Sequence, residues 1–264
     1  MLTLGIQLNT ISINNRTVNA NISPLDIGDL PYYFDLSNPN NVTVNPTAPL
    51  NILETKNLGT GGTSFVLANT TTADQPEYTN ASSPLGLYYG RFDASNDEFL
   101  YIASTSDKTT PVNIDLGITY SIFAVVDNEA SGSVSGFTGG RNPNAFVFRF
   151  LSNATQLANS IYRSGGLTTE TVAPSNPDLI GSAISTIGGV DGTLRTLWNG
   201  EESAPSSYTG TPVSNSDIFV GKSNTSAQYF TGRIYEIGFF TKELTNREIE
   251  VLNNYAKNKY NINF

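Results

Sequence analysis

Short strand-like segments separated by turns recur along most of the chain, and this pattern constrains the fold more than any other feature. In AFVFRFL (145–151), Phe146, Phe148 and Phe150 share one face of a strand, which we expect to lie in the core. Similar segments follow one another at a spacing of about ten residues, with clusters of Gly, Asn, Pro and Asp between them. No helical period appears until the C-terminus, so the sequence predicts an antiparallel sandwich or jelly roll.

Two segments add detail to this prediction. YSIFAVVD (120–127) is almost continuously apolar, which is typical of a central strand buried on both faces. Asn199-Gly200 is a strong signal for a two-residue hairpin turn after TLRTLW (193–198).

One helix is predicted at the end of the chain. Thr245 and Glu248 form a capping box, and apolar residues then recur at helical spacing. These apolar residues are Ile249, Leu252 and Ala256, and Lys257 and Lys259 follow in the last turn, where they complement the helix dipole. A single amphipathic helix in such a protein is expected to cover an open end of the sandwich.

Several stretches, taken in order, resemble a known family. They are PYYFDLSNP (31–39), ADQPEYTN (73–80), YGRFDASNDEFL (89–100), YSIFAVVD (120–127), TLWNGEE (196–202) and GRIYEIGFFTKELTNREIEVLNNYAKNKYNI (232–262). Together they are similar to the laminin-G-like, concanavalin A-like jelly-roll group in the form found in phage and bacterial surface proteins. The resemblance covers roughly residues 30–262 and is best at the C-terminal stretch.

The resemblance implies an all-β fold, a two-sheet antiparallel jelly-roll sandwich with one short C-terminal α-helix. We therefore expect a jelly-roll domain over residues 30–264. Residues 1–29 alternate apolar and polar residues, and they are interpreted either as an appended arm that docks the domain or as the first strands of the main sheet. Members of the group mostly bind sugars or proteins or serve structural roles, and some are glycoside hydrolases.

Composition narrows the classes of function. The net charge is −9, which argues against nucleic acid and anionic lipid as partners. The chain contains neither Cys nor His, so catalysis by a Ser-His-Asp or Cys-His arrangement within this chain is excluded. No apolar run approaches the length of a membrane span, and the N-terminus does not resemble a signal peptide.

Glycoside hydrolysis on this fold needs two carboxylates that reach the same sugar from one strand. The sequence contains no E-x-D motif, and Asp127 and Glu129 are its nearest approach. We therefore expect no enzymatic activity and no catalytic residues.

Two sets of residues are candidates for a binding site. Asp93, Asn96 and Asp97 form an oxygen-rich loop that suits Ca²⁺, although the same residue types also cap tight turns. No cofactor is otherwise required. Trp198, Tyr208 and Tyr229 are candidates for stacking on a sugar, although the lone Trp198 is more typical of a core.

The sequence thus predicts a non-enzymatic virion structural or decoration protein on a phage surface, docked to other virion proteins through residues 1–29. The alternative is a carbohydrate-binding module of a phage tail or a bacterial adhesin, which would bind glycans at the bacterial cell surface. Self-association into a homo-oligomer is a further expectation for either function.

Overall fold

The computed structural model describes residues 22–47, 50–81, 83, 86–130, 134–141, 143–151, 156–164, 166–173, 180–223 and 228–262. Within these residues the chain forms nineteen strands, five short 3₁₀ helices and one α-helix, α1 (Asn246–Tyr260). The first ten strands are β1 (Tyr32–Asp35), β2 (Val42–Val44), β3 (Ile52–Lys56), β4 (Phe65–Ala68), β5 (Glu77–Thr79), β6 (Tyr89–Phe92), β7 (Leu100–Ser104), β8 (Asn113–Asp115), β9 (Thr119–Asn128) and β10 (Ser135–Arg141). The other nine are β11 (Phe146–Phe150), β12 (Leu157–Arg163), β13 (Gly166–Val172), β14 (Gly181–Gly188), β15 (Thr193–Trp198), β16 (Glu201–Glu202), β17 (Ser206–Ser207), β18 (Asn215–Val220) and β19 (Gly232–Phe240).

The strands form two antiparallel sheets. The first sheet runs in the order β16-β15-β14-β9-β19-β6-β5, with β1 also paired to β19 and β17 to β15. The second sheet runs β13-β12-β11-β10-β18-β7-β4-β3-β2, with β8 paired to β18. The predicted two-sheet sandwich with one C-terminal helix is therefore confirmed.

The main core fills the space between the two sheets, and the alternation of the strands explains its composition. Phe146, Phe148 and Phe150 project from β11 into this core, as the sequence predicts, and all three are fully buried. β9 lies in the middle of the first sheet between β14 and β19, and its residues after Thr119 are all buried. The continuous apolar run of this strand thus reflects burial on both faces.

The hairpin predicted at Asn199-Gly200 joins β15 and β16. Both turn residues have positive φ, 50° and 82°, which is the geometry that favours Asn-Gly in two-residue turns.

Helix α1 begins where the capping box predicts. Thr245 is its N-cap, and the side chain of Thr245 accepts a hydrogen bond from the Glu248 backbone NH while the Glu248 carboxylate accepts one from the Thr245 backbone NH. At the C-terminal end Asn261 adopts the left-handed conformation with a φ of 50°, which Asn tolerates better than most residues.

The position of α1 corrects one expectation. The helix does not cover an open end of the sandwich but packs on the outer face of the first sheet. Its buried residues Ile249, Leu252 and Ala256 form a second apolar core with sheet residues such as Phe123 and Tyr235. Both faces of the first sheet are thus buried at β9, one in the main core and the other beneath α1. This burial explains why apolar and polar residues do not alternate along β9.

A buried carboxylate anchors the helix within this second core. Glu236 on β19 is 0% exposed and accepts hydrogen bonds from the hydroxyls of Tyr33, Tyr255 and Tyr260 and from Lys259 Nζ. Burial raises the pKa of the Glu236 carboxyl, and Lys259 opposes that rise. Burial alone would lower the pKa of Lys259, but the carboxylates around it outweigh burial and raise that pKa above its ordinary value. A buried charge is tolerated here because it is paired and fully hydrogen-bonded.

Residues 1–21 of the predicted arm lie outside the described residues. The part of the arm that is described, residues 22–29, packs on the jelly-roll body. Ile27 packs against the second core, the Ile27 carbonyl accepts a hydrogen bond from Lys242 Nζ at 3.0 Å, and the Asp29 carbonyl accepts one from the Thr241 backbone NH at 2.8 Å. This segment is therefore attached to the first sheet and to α1.

None of the helices in the described part of the chain combines the length and apolar character that crossing a membrane requires.

Candidate ligand-binding face

The second sheet has an outer face that no helix covers in the described part of the chain. Strand register places one row of side chains across the middle of this face, because paired residues of adjacent antiparallel strands project to the same side. The row consists of Thr169, Ser160, Val147, Gly139, Phe219, Tyr101 and Ala68. Small residues at one side of the row thus adjoin two large aromatic rings at the other.

The aromatic rings on this face form a small cluster separate from the main core. Phe99 lies with its ring centroid 5.8 Å from that of Phe219, 6.2 Å from that of Tyr101 and 6.3 Å from that of Tyr229. Phe219 and Tyr101 are nearly buried, whereas Phe99 and Tyr229 are half-buried at the surface of the cluster. The two half-buried rings are the ones that a ligand at the surface can touch.

Lys222 lies over these rings. Its Nζ atom is 3.5 Å from the ring centroid of Phe99 and 4.4 Å from that of Phe219, distances at which a cation is attracted to an aromatic face. No carboxylate among the described residues lies within ion-pair distance of Lys222 Nζ. Burial lowers the pKa of Lys222 to about 8, with Arg141 adding to the decrease and Asp74 and Asp97 opposing it.

The backbone places Lys222 over the cluster. Gly221 follows β18 with a φ of +88°, and a Cβ atom at this position would lie 2.3 Å from Cδ1 of Phe92, so only glycine fits the turn. Lys222 then forms a backbone bridge with Tyr229, which brings the Tyr229 ring beside the same cluster.

A second cation borders the cluster. Arg149 projects outward from β11, and its Nη1 atom donates a hydrogen bond of 3.2 Å to Gln228 Oε1, next to Tyr229 in the chain. The Nε atom of Arg149 is buried and has no hydrogen-bond partner among the described residues. The outer face thus combines aromatic rings with two cationic groups that lack an acidic partner within the described chain, although the net charge of the protein is −9.

The predicted calcium loop lies next to this cluster. Asp93 caps the 3₁₀ helix Ala94–Asn96 by accepting hydrogen bonds from the backbone NH and the hydroxyl of Ser95, which hold the pKa of Asp93 below its ordinary value. The amide of Asn96 donates to Glu98 Oε1 at 3.2 Å. Asp97 has a left-handed backbone, with a φ of 56°, and lies close enough to Lys222 and Tyr229 to influence their pKa values.

These contacts are those of a capped turn, and calcium binding at this loop stays a prediction. Two of the three predicted ligands donate or accept hydrogen bonds within the loop itself. In the described part of the chain, no group of three or more acidic side chains is arranged to hold a metal ion. Glu98, which follows the loop, is nearly buried, and burial raises its pKa to about 7.

The three aromatic candidates fall into two environments. Trp198 is 1% exposed and contacts Phe150 edge to face at 5.4 Å within the main core. Tyr208 is also buried there, and its hydroxyl donates a hydrogen bond of 2.7 Å to the Gly189 carbonyl. Neither ring presents a face to a ligand at the surface, whereas Tyr229 does, so the structure brings together only Tyr229 and the loop with Asp97.

Sequence analysis missed Lys222, Phe99 and Phe219. A signal for them was present in the strand alternation: in EFLYIAS (98–104), Leu100 and Ile102 project into the core, so Phe99 and Tyr101 must project outward. The alternation therefore allows outward-facing aromatic residues to be predicted for the two strands, but it does not predict that these strands pair.

The nearest approach to a catalytic carboxylate pair lies elsewhere, at the end of β9. Asp127 and Glu129 both bind Arg233, with Oδ2 of Asp127 3.3 Å from Nη1 and Oε1 of Glu129 2.6 Å from Nη2. Both carboxylates are thus held by the same guanidinium.

The model of the concanavalin A-like lectin/glucanases superfamily matches residues 93–250, which is more than half of the chain. The chain belongs to this superfamily. A comparison with curated proteins found no significant match.

A solved structure with a TM-score above 0.5 supports the fold, and two others are similar at lower scores. The binding domain of Paraclostridial Mosquitocidal Protein 1 is similar with a TM-score of 0.58 and 11% identity, over 89% of this chain and 53% of that chain. The K499G mutant of NanB sialidase from Streptococcus pneumoniae is similar at a TM-score of 0.46 and 15% identity, over 61% of this chain and 26% of that chain. The sialidase CBM40 of Ruminococcus gnavus bound to α2,3-sialyllactose is similar at 0.42 and 11% identity, over 51% of this chain and 80% of that chain. The chain therefore spans about a quarter of the sialidase and about half of the toxin domain.

Proposed function

We propose that this lectin-like domain is a non-catalytic carbohydrate-binding module whose ligand binds the outer face of the second sheet. The observation that carries the proposal is Lys222, a nearly buried cation that lies over aromatic rings with no carboxylate partner in the described chain. A glycan supplies what this arrangement lacks, because its apolar ring face stacks on an aromatic side chain while its polar groups hydrogen-bond to the cation.

The charges of the face favour a glycan that carries an acidic group. No carboxylate among the described residues forms an ion pair with Lys222 or Arg149, and charge-assisted hydrogen bonds to a carboxylate are stronger than those to a hydroxyl. Tyr229 and Phe99, the two half-buried rings, would contact the sugar ring beside that group. The similarity to the binding domain of a mosquitocidal toxin is consistent with a binding role, although its low identity bears on the fold alone.

We propose binding without hydrolysis because the sequence contains no E-x-D motif. Asp127 and Glu129, the nearest approach in the sequence, are both bound to Arg233 and lie on the first sheet. Retaining hydrolysis needs two free carboxyl groups about 5–5.5 Å apart on either side of the scissile bond.

A glycan microarray that contains neutral and acidic glycans tests the proposal. The purified full chain is expected to bind a subset of acidic glycans, and Lys222→Met and Tyr229→Ala should each weaken that binding at least about tenfold, or about 1.4 kcal/mol. Lys56→Met is the matched control, because Lys56 lies on the same sheet but donates to the Asn40 carbonyl rather than contacting the rings. Absence of binding to every glycan, or equal binding by all four proteins, contradicts the proposal.

Attachment to a virion or a cell surface stays a prediction. This role was assigned to the arm at residues 1–29, of which residues 1–21 lie outside the described residues and residues 22–29 pack on the body. Removal of residues 1–21 should leave a folded domain that still binds glycans and no longer joins its particle, which size-exclusion chromatography and co-sedimentation with particles would measure.

A further inference from the structure

In the described part of the chain, β13 is the longest of the strands that end a sheet. It has seven residues and ends the strand order of the second sheet, so no described strand pairs with its far side. Leu167, Thr169 and Thr171 are exposed along it, and Leu167 is 51% exposed. The far side of β13 is therefore open to another strand.

The register of the neighbouring strands identifies the backbone groups that are free at this edge. Successive residues of an antiparallel strand direct their NH and carbonyl groups to opposite sides. Tyr162 of β12 donates its backbone NH to the Ala145 carbonyl, so the even-numbered residues of β12 bond towards β11 and the odd-numbered ones towards β13. The odd-numbered residues of β12 lie opposite even-numbered residues of β13. The NH and carbonyl groups of Leu167, Thr169 and Thr171 consequently point away from β12, towards the open edge.

The strands at the other ends of the two sheets carry features that hinder pairing with another chain. The first sheet ends at β16, which consists of two glutamates, and at β5, which has three residues and begins with Glu77. The second sheet ends on its other side at β2, which has three residues and a register shift between Thr43 and Val44. Short strands, charged side chains and bulges protect sheet edges from pairing with other chains.

β13 lacks these three features. Its register with β12 runs from Gly166 to Val172 without a shift, and none of its residues is Lys, Arg or Pro. Its one charged residue, Glu170, lies opposite Asn159, is 3% exposed and accepts a hydrogen bond of 2.8 Å from the Ser203 hydroxyl. This carboxylate is already buried without a partner chain, so pairing at the edge would not bury a new charge. The open edge is thus regular and uncharged.

The spacing of the free backbone groups fits a second copy of the same strand. In two antiparallel copies of β13 related by a two-fold axis at Thr169, the two Thr169 residues lie opposite each other and Leu167 lies opposite Thr171. Each of these pairs exchanges two backbone hydrogen bonds, so every free group of the three residues is satisfied in both copies. The paired side chains project to the same face, and a two-fold axis presents the same surface of each copy to the other.

We propose that the open edge of β13 is the interface of a homodimer, in which the second sheets of two copies join across a two-fold axis at Thr169. Each chain carries a net charge of −9, but the three exposed residues at the edge carry none. A single strand pair makes a small interface, so the dimer is weak and depends on protein concentration. The dimer displays its two Lys222 faces on one side of the joined sheet, where they could bind one glycan surface together. Dimerisation itself does not depend on the function proposed for those faces.

Sedimentation velocity of the full chain across a dilution series tests the proposal, and a reversible equilibrium between monomer and dimer is expected. Thr169→Lys places two like charges opposite each other at the axis, so it should weaken dimerisation at least about tenfold, or about 1.4 kcal/mol. Thr171→Lys should have the same direction of effect. Thr43→Lys is the matched control, because Thr43 is an exposed residue of β2 at the other edge of the same sheet, and it should leave the equilibrium unchanged.

Hydrogen exchange gives a second measurement at the residues themselves. At high protein concentration the backbone amides of Leu167, Thr169 and Thr171 should exchange slowly, and in Thr169→Lys the amides of Leu167 and Thr171 should exchange fast while those of β12 stay protected. Lys222→Met should dimerise as the wild type does, which separates this proposal from the one on glycan binding.

Three results would overturn the proposal. One is a monomer at every concentration up to about 1 mM, where an association of even about −4 kcal/mol is detectable. Another is a dimer that Thr171→Lys and Thr169→Lys both leave unchanged, which would place the interface elsewhere. The third is growth beyond the dimer, because a two-fold pairing of this edge is closed. If Thr169→Lys fails to fold in urea melts, Thr171→Lys decides between these outcomes.

Discussion

The two outer faces of the sandwich each hold a lysine that lies near aromatic rings, and the two lysines differ in whether a carboxylate of the described chain pairs with them. Lys259, on α1, contacts the carboxylates of Asp35 and Glu236, which raise its pKa above the ordinary value. Lys222, on the opposite face, lies over aromatic rings with no carboxylate partner in the described chain, and its pKa falls to about 8. The first lysine is paired with carboxylates of the protein, and the second has no such partner among the described residues. The paired lysine therefore stabilises the fold, and the unpaired lysine is the one on which the proposed ligand site depends.

The largest expected effect comes from breaking the completed network. Glu236→Ala removes the carboxylate that three tyrosine hydroxyls and Lys259 share, and it should lower the free energy of unfolding by about 3–5 kcal/mol. Urea denaturation measures this change. Glu250→Ala, at an exposed position of the same helix, is the control and should change stability by no more than about 0.5 kcal/mol. A Glu236→Ala protein as stable as this control would mean that the helix is not anchored by the carboxylate.

A somewhat smaller effect is expected from the apolar part of the same face. Leu252 is 0% exposed in the core beneath α1, so Leu252→Ala should cost about 2–5 kcal/mol through lost burial and the cavity left behind. Val251→Ala, a neighbouring half-buried position, should cost clearly less in the same urea melts. Equal and negligible costs would indicate that the helix detaches from the sheet in solution.

Lys222 should make the free energy of unfolding depend on pH in the opposite sense from a lysine that is paired with a carboxylate. The pKa of Lys222 is about 8 in the folded protein and about 10.4 in an unfolded chain, so the folded state binds fewer protons between these values. The contribution of Lys222 to the free energy of unfolding therefore increases as the pH rises from about 8 to about 10.4. Lys222→Met lacks the titrating group, so the stability of the variant relative to the wild type should fall by about 1–3 kcal/mol across this window.

Urea melts of both proteins at pH 7 and at pH 10 measure the difference between their free energies of unfolding. The tyrosines titrate in both proteins, so their contribution cancels in this difference. At pH 7 Lys222→Met loses a cation–π attraction of about 0.5–2 kcal/mol. Apart from this loss, the variant should be at least as stable as the wild type. A difference that stays constant with pH would show that Lys222 is not buried against the rings.

The smallest effect concerns the start of the helix. Thr245→Ala removes the side chain that accepts a hydrogen bond from the Glu248 backbone NH, and it should cost about 1 kcal/mol. Thr245→Ser keeps the hydroxyl and should restore most of that stability. If Thr245→Ser is as destabilising as Thr245→Ala, the methyl group of Thr245 stabilises the start of the helix and its capping hydrogen bond does not.

Sequence patterns predicted the elements of the fold well because these depend on neighbours in the chain. The capping box at Thr245, the Asn-Gly turn at Asn199 and the buried strand β9 are local features, and each appears at the predicted residues. The face on which the helix lies depends on long-range packing, and that expectation was wrong.

The candidate site was less predictable for the same reason. Phe99 and Tyr101 come from a different part of the chain from Phe219 and Lys222, and only the pairing of β18 with β7 places Phe219 opposite Tyr101 on the outer face. Composition drew attention to Trp198 because it is the single tryptophan, yet its position in the strand directs it inward. The neighbouring residue Leu197 projects to the other side, which shows how a shift of one position moves a side chain from the main core to the second core beneath α1.

The most direct test of the contrast between the two faces is an NMR titration of chain labelled with ¹³C at lysine Cε. Without ligand, the Lys222 resonance should titrate near pH 8, and the Lys259 resonance should not titrate in that range. Addition at pH 7 of the glycan that binds best on the microarray should shift the Lys222 resonance and leave the Lys259 resonance in place. A Lys222 resonance that stays unchanged while the glycan binds would contradict the account.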